Sequence, residues 1–125
     1  MATPEGKIKA KVKSRLQREF GDAHWRFMPV QHGFGSVALD FLICISGRFV
    51  AIETKADPSK KLSPLQQTTA AAISSAGGWV FVVSDDASLD EAIAKIKLAL
   101  EFDNDWHQRA QSYRGGNAPP DQDEA

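Results

Sequence analysis

A single cysteine, Cys44, leaves the chain without a partner for an internal disulfide. A small secreted scaffold stapled by disulfides is therefore excluded, and a reducing, cytoplasmic setting is the expectation. Cys44 lies inside an apolar run and is expected to pack in the core. No apolar run approaches the roughly 20 residues that span a bilayer, and the basic start has no apolar signal core after it. No membrane partner is expected. Net charge is also scarce: 15 Lys and Arg stand against 16 Asp and Glu. This balance excludes a grip on polyanions by bulk charge and leaves room only for a local patch. The histidines, His24, His32 and His107, are too scattered to suggest a metal cluster. There is no internal repeat, P-loop, glycine-rich dinucleotide fingerprint, Cys/His zinc spacing or serine nucleophile elbow. What remains is a chain of 125 residues, large enough for one core. The expected organisation is one domain over residues 1–110, with a disordered tail over 111–125 where Gly, Asn, Pro, Gln and acids predominate.

The stretch from Asp40 to Lys55 organises the rest. Two apolar runs, Phe41 to Ile45 and Phe49 to Ile52, flank Ser46-Gly47 and predict a β-hairpin. A symmetric turn pairs residues whose numbers sum to 93, which sets Asp40 opposite Glu53. Opposed side chains lie roughly 4.5 to 5.5 Å apart at Cβ, and like charges there repel. Alternation puts Lys55 on the face of Glu53, with Val50, Ile52 and Thr54 on the other. An acidic pair beside a cation on a rigid strand end suits a hard, oxygen-liking divalent ion that relieves the repulsion. The same residues also fit a plain strand end with a solvated ionic face, because structural ion pairs share this pattern.

Along the chain, Thr3-Pro4-Glu5 opens a helix, Ile8, Val12, Leu16 and Phe20 give its apolar side, and Gly21 closes it. Glu5 is either a favourable charge at the helix start or a third carboxylate near the pair. Lys7, Lys9, Lys11, Lys13, Arg15 and Arg18 make this helix the most positive region, whereas residues 85 to 105 are acidic. Trp25 to Val30 reads as a strand, with Pro29 marking an edge or an ending. Residues 31 to 36 form a glycine-punctuated loop that should border the acidic pair, and His32 and Gly33 there either contact substrate or make the turn, the turn being the favoured reading for His32. Ser63, Pro64 and Gln66 form a capping box for a helix reaching Ala76, so Gln66 has a structural explanation of its own. Trp79 to Val83 reads as a buried strand and Ser88 to Leu100 as a final amphipathic helix. The order α-β-β-β-α-β-α predicts an α/β fold whose last strand joins the hairpin in a mixed β-sheet flanked by helices.

Glu5 on the opening helix, Asp40, Glu53-Thr54-Lys55, Leu-Ser-Pro-Leu-Gln at 62 to 66 and an Ala-Gly-Gly helix end together resemble the PD-(D/E)xK nuclease superfamily. Within it, the likeness is to the small stand-alone VRR-NUC nucleases of phages and bacteria, over roughly residues 3 to 100. The resemblance implies a restriction-endonuclease-like core and a Mg²⁺- or Mn²⁺-dependent DNA endonuclease, acting on branched, flap or junction structures as relatives do. It implies a cytoplasmic location in a bacterial or phage-infected cell. By resemblance, Asp40 and Glu53 are metal ligands, with the backbone carbonyl of Thr54 completing the shell. Lys55 orients or activates the attacking water, and Glu5 and Gln66 complete the site from the flanking helices. Leu39 stands where this superfamily often has proline. The alternative is a non-catalytic nucleic-acid or junction-binding module on the same fold. Lys7, Lys9 and Lys11 on the first helix, with Lys60 and Lys61, are the expected contacts to the phosphate backbone. A domain this small offers little surface for gripping a duplex, so a homodimer or higher homo-oligomer is expected.

Overall fold

The computed structural model describes residues 3–30 and 37–115. It divides into two compact units, Met1–Ala92 and Ile93–Ala125. The first carries helix α1 (Pro4–Phe20), a 3₁₀ turn (Gly21–Ala23), strands β1 (His24–Phe27), β2 (Phe41–Ile45) and β3 (Arg48–Thr54), helix α2 (Pro64–Ser75) and strand β4 (Trp79–Val83). Helix α3 (Asp86–Gly115) begins in the first unit, and its remainder forms the described part of the second. Among the described residues, no helix is long and apolar enough to cross a membrane.

The local signals act as expected at the helix starts. Thr3 Oγ1 accepts from the Gly6 N–H at 3.0 Å with Pro4 in the first turn, and Gly21 closes α1 at a positive φ of 49°. At α2, Ser63 Oγ accepts from the Gln66 N–H at 3.2 Å, and Gln66 Oε1 accepts from the Ser63 N–H at 2.9 Å. Helix α3 starts two residues before Ser88 because Asp85 is the cap. Its Oδ1 accepts from the Ser88 N–H at 2.7 Å, and the Ser88 hydroxyl reaches back to accept from Ser84 and Asp85. The Ser88 side chain, and then its N–H, favour the charged Asp85 carboxylate and hold its pKa below the usual value. Beyond Leu100 the apolar stripe ends, yet the sequence holds neither proline nor glycine until Gly115, and the helix continues to that residue. Residues 111–115 of the expected tail are thus helical, and the rest of it lies outside the described residues. The loop over 31 to 36, His32 included, lies outside them too.

The sheet order is β1-β2-β3-β4. The hairpin register is the symmetric one: Phe41 faces Ile52 and Ile45 faces Arg48. Ser46 and Gly47 both take positive φ, 50° and 84°, as a two-residue type I′ turn demands. Strand β4 joins β3 in parallel, which makes the sheet mixed. Strand β1 is an edge and stops at Phe27, two residues before Pro29, which has no N–H for a ladder.

One sheet face is the core. Phe41, Ile43, Ile45, Val50, Ile52 and Val83 are fully or almost fully buried, and α1 lays Ile8, Val12 and Leu16 on that side. The opposite face carries Leu42, Cys44, Phe49, Ala51 and Glu53. Helix α2 packs beside β4 and covers only part of it, leaving Phe49 and Val82 exposed. Cys44 is therefore exposed and does not pack in the core. The continuous apolar run around it hides a one-sided strand, since Cys44 alternates away from Ile43 and Ile45.

Gly78 is where α2 and the sheet come closest. A Cβ there would lie 2.7 Å from Ile73 Cγ2 and 2.9 Å from Phe49 Cδ2. Gly78→Ala is expected to lower stability by about 1–3 kcal/mol through overpacking, measured as a reduced urea midpoint with an unchanged slope.

Candidate active site

The hairpin register delivers Asp40 and Glu53 to the same end of neighbouring strands, just past the Phe41–Ile52 pair. There the two residues bind each other through their backbone and side chains. Glu53 Oε1 accepts from the Asp40 N–H at 3.0 Å. Asp40 Oδ2 accepts from the Thr54 N–H at 2.9 Å and from the Thr54 hydroxyl at 2.6 Å. In an extended strand a residue's N–H and C=O lie on one edge. The Thr54 carbonyl therefore lies on the edge that faces Asp40.

Gln66 closes the site from α2. Its Nε2 donates to Glu53 Oε2 at 2.7 Å, and its Oε1 accepts from Lys55 Nζ at 2.9 Å while also accepting the Ser63 N–H. The amide orientation follows from its partners: two donors require the carbonyl oxygen, and a carboxylate requires the NH₂. Lys55 Nζ lies 3.5 Å from Glu53 Oε2, with the lysine side chain 14% exposed and the glutamate 4%. Leu39, in the place of a proline, is fully buried and anchors the approach to Asp40. Thr69 Oγ1 of α2 donates to the Val37 carbonyl in the same segment.

Glu5 and Lys9 approach from α1. Lys9 Nζ sits 3.4 Å from Glu5 Oε2 and 3.7 Å from Asp40 Oδ1. A cation thus stands between the helix glutamate and the pair. Among the described residues, no group of three or more His, Cys, Asp or Glu side chains is gathered closely enough to hold an ion.

The electrostatics follow from burial. Desolvation raises the pKa of Glu53 above its ordinary value, and the Asp40 charge raises it further; the Asp40 N–H and Lys55 pull the other way. Replacing the proton on such a group by a hard cation satisfies the same demand.

The cations expected at the nucleic-acid surface divide into groups. Lys7, Lys60 and Lys61 are exposed, and Lys9 turns toward the carboxylates. Lys11 is taken by Asp86 of α3 at 2.9 Å, and Arg15 likewise by Asp90 at 2.5 Å. Two contributors escaped the sequence reading. The Thr54 hydroxyl was assigned by alternation to the other face, and it meets Asp40 because that side chain turns across the strand end. Lys9 had a legible signal, its i,i+4 spacing from Glu5.

No family model matches the chain, and no curated protein matches it in sequence. A solved structure described as a VRR_NUC domain has the same fold, with a TM-score of 0.65 and 26% sequence identity over 74% of this chain and 97% of that one. The likeness spans most of both chains and supports the VRR-NUC family, with its restriction-endonuclease-like, nuclease-type fold.

The raised Glu53 pKa gives a stability profile with a definite sign. Between the ordinary glutamate value and the raised one, the native state keeps a proton that the unfolded chain has released. Stability therefore falls as pH rises through that window. Asp57, held low by Ser59, and Asp85 lose their contributions only as pH falls below the ordinary aspartate range, so they leave this window alone. Urea unfolding in metal-free buffer is expected to show the decline in the native protein and a flatter profile in Glu53→Gln.

Proposed function

We propose, taking the likeness to a VRR_NUC domain as premise, that this chain is a divalent-metal-dependent endonuclease that hydrolyses phosphodiester bonds in DNA. One observation carries the reading: a buried glutamate, tied to an aspartate across a hairpin end, sits beside a lysine whose ammonium is fixed by Gln66. The residues fit Mg²⁺ or Mn²⁺. Asp40, Glu53 and the Thr54 carbonyl are hard oxygen donors, and so few protein ligands suit an ion that keeps several waters. When bound, such an ion supplies charge neutralisation at the phosphate and a more acidic water.

The side chains do the rest. Lys55 places positive charge at the edge of the pair, where it holds the attacking water or offsets charge developing on the phosphate. Gln66 fixes Glu53 and Lys55 together, and Thr54 fixes the rotamer of Asp40. Lys9 links Glu5 to Asp40 and so supplies local charge balance. Lys7, Lys60 and Lys61 position the phosphate backbone without reading sequence, and Lys11 contributes less because Asp86 holds it. The proposed substrates are flap, branched or junction DNA, acted on by a homodimer or higher homo-oligomer in the cytoplasm of a bacterial or phage-infected cell. A second reading, a junction-binding module that does not cut, is favoured by one fact: only two carboxylates gather among the described residues.

A panel of single-stranded, duplex, flap and four-way DNAs with Mg²⁺ or Mn²⁺ separates the two readings. Cleavage is expected, with its loss on chelation and in Asp40→Ala and Glu53→Ala. Lys55→Ala is expected to slow it about 10²–10⁴-fold, and Gln66→Ala about 10–100-fold. Binding without turnover across all ions and shapes selects the non-cutting module. Saturating Mg²⁺ is also expected to raise Tm in the native protein and not in the Asp40→Ala/Glu53→Ala double variant, by differential scanning calorimetry.

A further inference from the structure

The outermost strand carries an aromatic pair that the proposed chemistry does not use. Trp25 and Phe27 alternate on β1 and so share a face. They are 66% and 50% exposed, with rings parallel to within 1° and centroids 6.1 Å apart. Two large apolar rings side by side in solvent mark an interaction surface rather than unfinished core.

Two observations identify what covers them. The first is the face. Phe27 pairs with Leu42 and Leu42 with Ala51, and alternation along β3 carries that face from Ala51 to Glu53. The second is distance. Phe27 lies one strand across and two residues along from Asp40, about 8 Å between Cα atoms, which is a few steps of a stacked nucleotide strand. Rings open to solvent on the face of the carboxylate pair, a few nucleotide steps from it, suit the flat bases of the strand whose backbone reaches that pair.

We propose that Trp25 and Phe27 form a stacking platform for unpaired bases, leading a single-stranded segment of nucleic acid onto the carboxylate pair. The inference rests on the nuclease reading above and deepens it: the preferred substrate carries unpaired nucleotides next to the bond that is cut. Bases stack on aromatic side chains without regard to sequence, so the platform selects for unpairing.

The test uses the full chain, with fluorescent single-stranded and duplex oligonucleotides of equal length, in EDTA and at one salt concentration. In Trp25→Ala/Phe27→Ala the ratio of single-strand to duplex affinity is expected to fall about tenfold or more, and Trp25→Phe is expected to retain it. Melting curves confirm that each variant folds. Quenching of tryptophan fluorescence by the single strand is expected in the native protein and to be much reduced in Trp25→Phe. An unchanged affinity ratio, in variants of a protein that binds and cuts DNA, overturns the platform and leaves the nuclease reading intact. Absence of binding and cleavage in the native protein overturns both. If the alanine variant instead turns an oligomer into a monomer in sedimentation, at an unchanged affinity ratio, the patch joins copies of the chain and the platform is overturned.

Discussion

Two like charges are held at the open end of a hairpin whose register is fixed by a two-residue turn, and the site is built to manage that repulsion. The turn leaves no slack: Ser46 and Gly47 both take positive φ, and the ladder runs without a bulge from Arg48–Ile45 to Ile52–Phe41. A slip of one residue would carry the core set to the exposed face, so burial of Phe41, Ile43, Val50 and Ile52 enforces the register. Hydrophobic packing on one face thereby decides which carboxylates meet at the strand ends. The unfavourable contact is offset by the Asp40 and Thr54 N–H groups, by Gln66 and by flanking lysines.

The charges form a connected series from one helix to the other. Glu5 meets Lys9, Lys9 approaches Asp40, Asp40 is bound to Glu53 through its own N–H, and Glu53 meets Lys55 and Gln66. Such a chain alternates sign except at the central pair, where a divalent cation would complete it. Farther along α1, Lys11 and Arg15 face Asp86 and Asp90. The opposite polarity of the basic helix and the acidic segment thus serves assembly of the fold at those positions.

Much of this was legible in the sequence, because the strongest signals were local and redundant. The hairpin register, both proline-assisted helix starts and the apolar stripes of α1 and α3 are short-range patterns that tertiary packing had no reason to override. The misses came where one-dimensional patterns lose depth. The apolar run around Cys44 reads as two-sided burial, although α2 covers only part of that face. The final helix was expected from Ser88, but it begins at Asp86, because Asp85 is the cap and Ser88 answers it three residues later. Thr54 belongs to the core side by alternation, and only a turned aspartate side chain brings its hydroxyl into the site.

Gln66 is at once the third residue of a helix cap and the clamp on Glu53 and Lys55. A mutation that breaks the clamp also loosens the first turn of α2, so the two losses arrive together. Selection for a chain that merely survives proteolysis in the cell would shelter this corner of the carboxylate site, whether or not the proposed chemistry is being used.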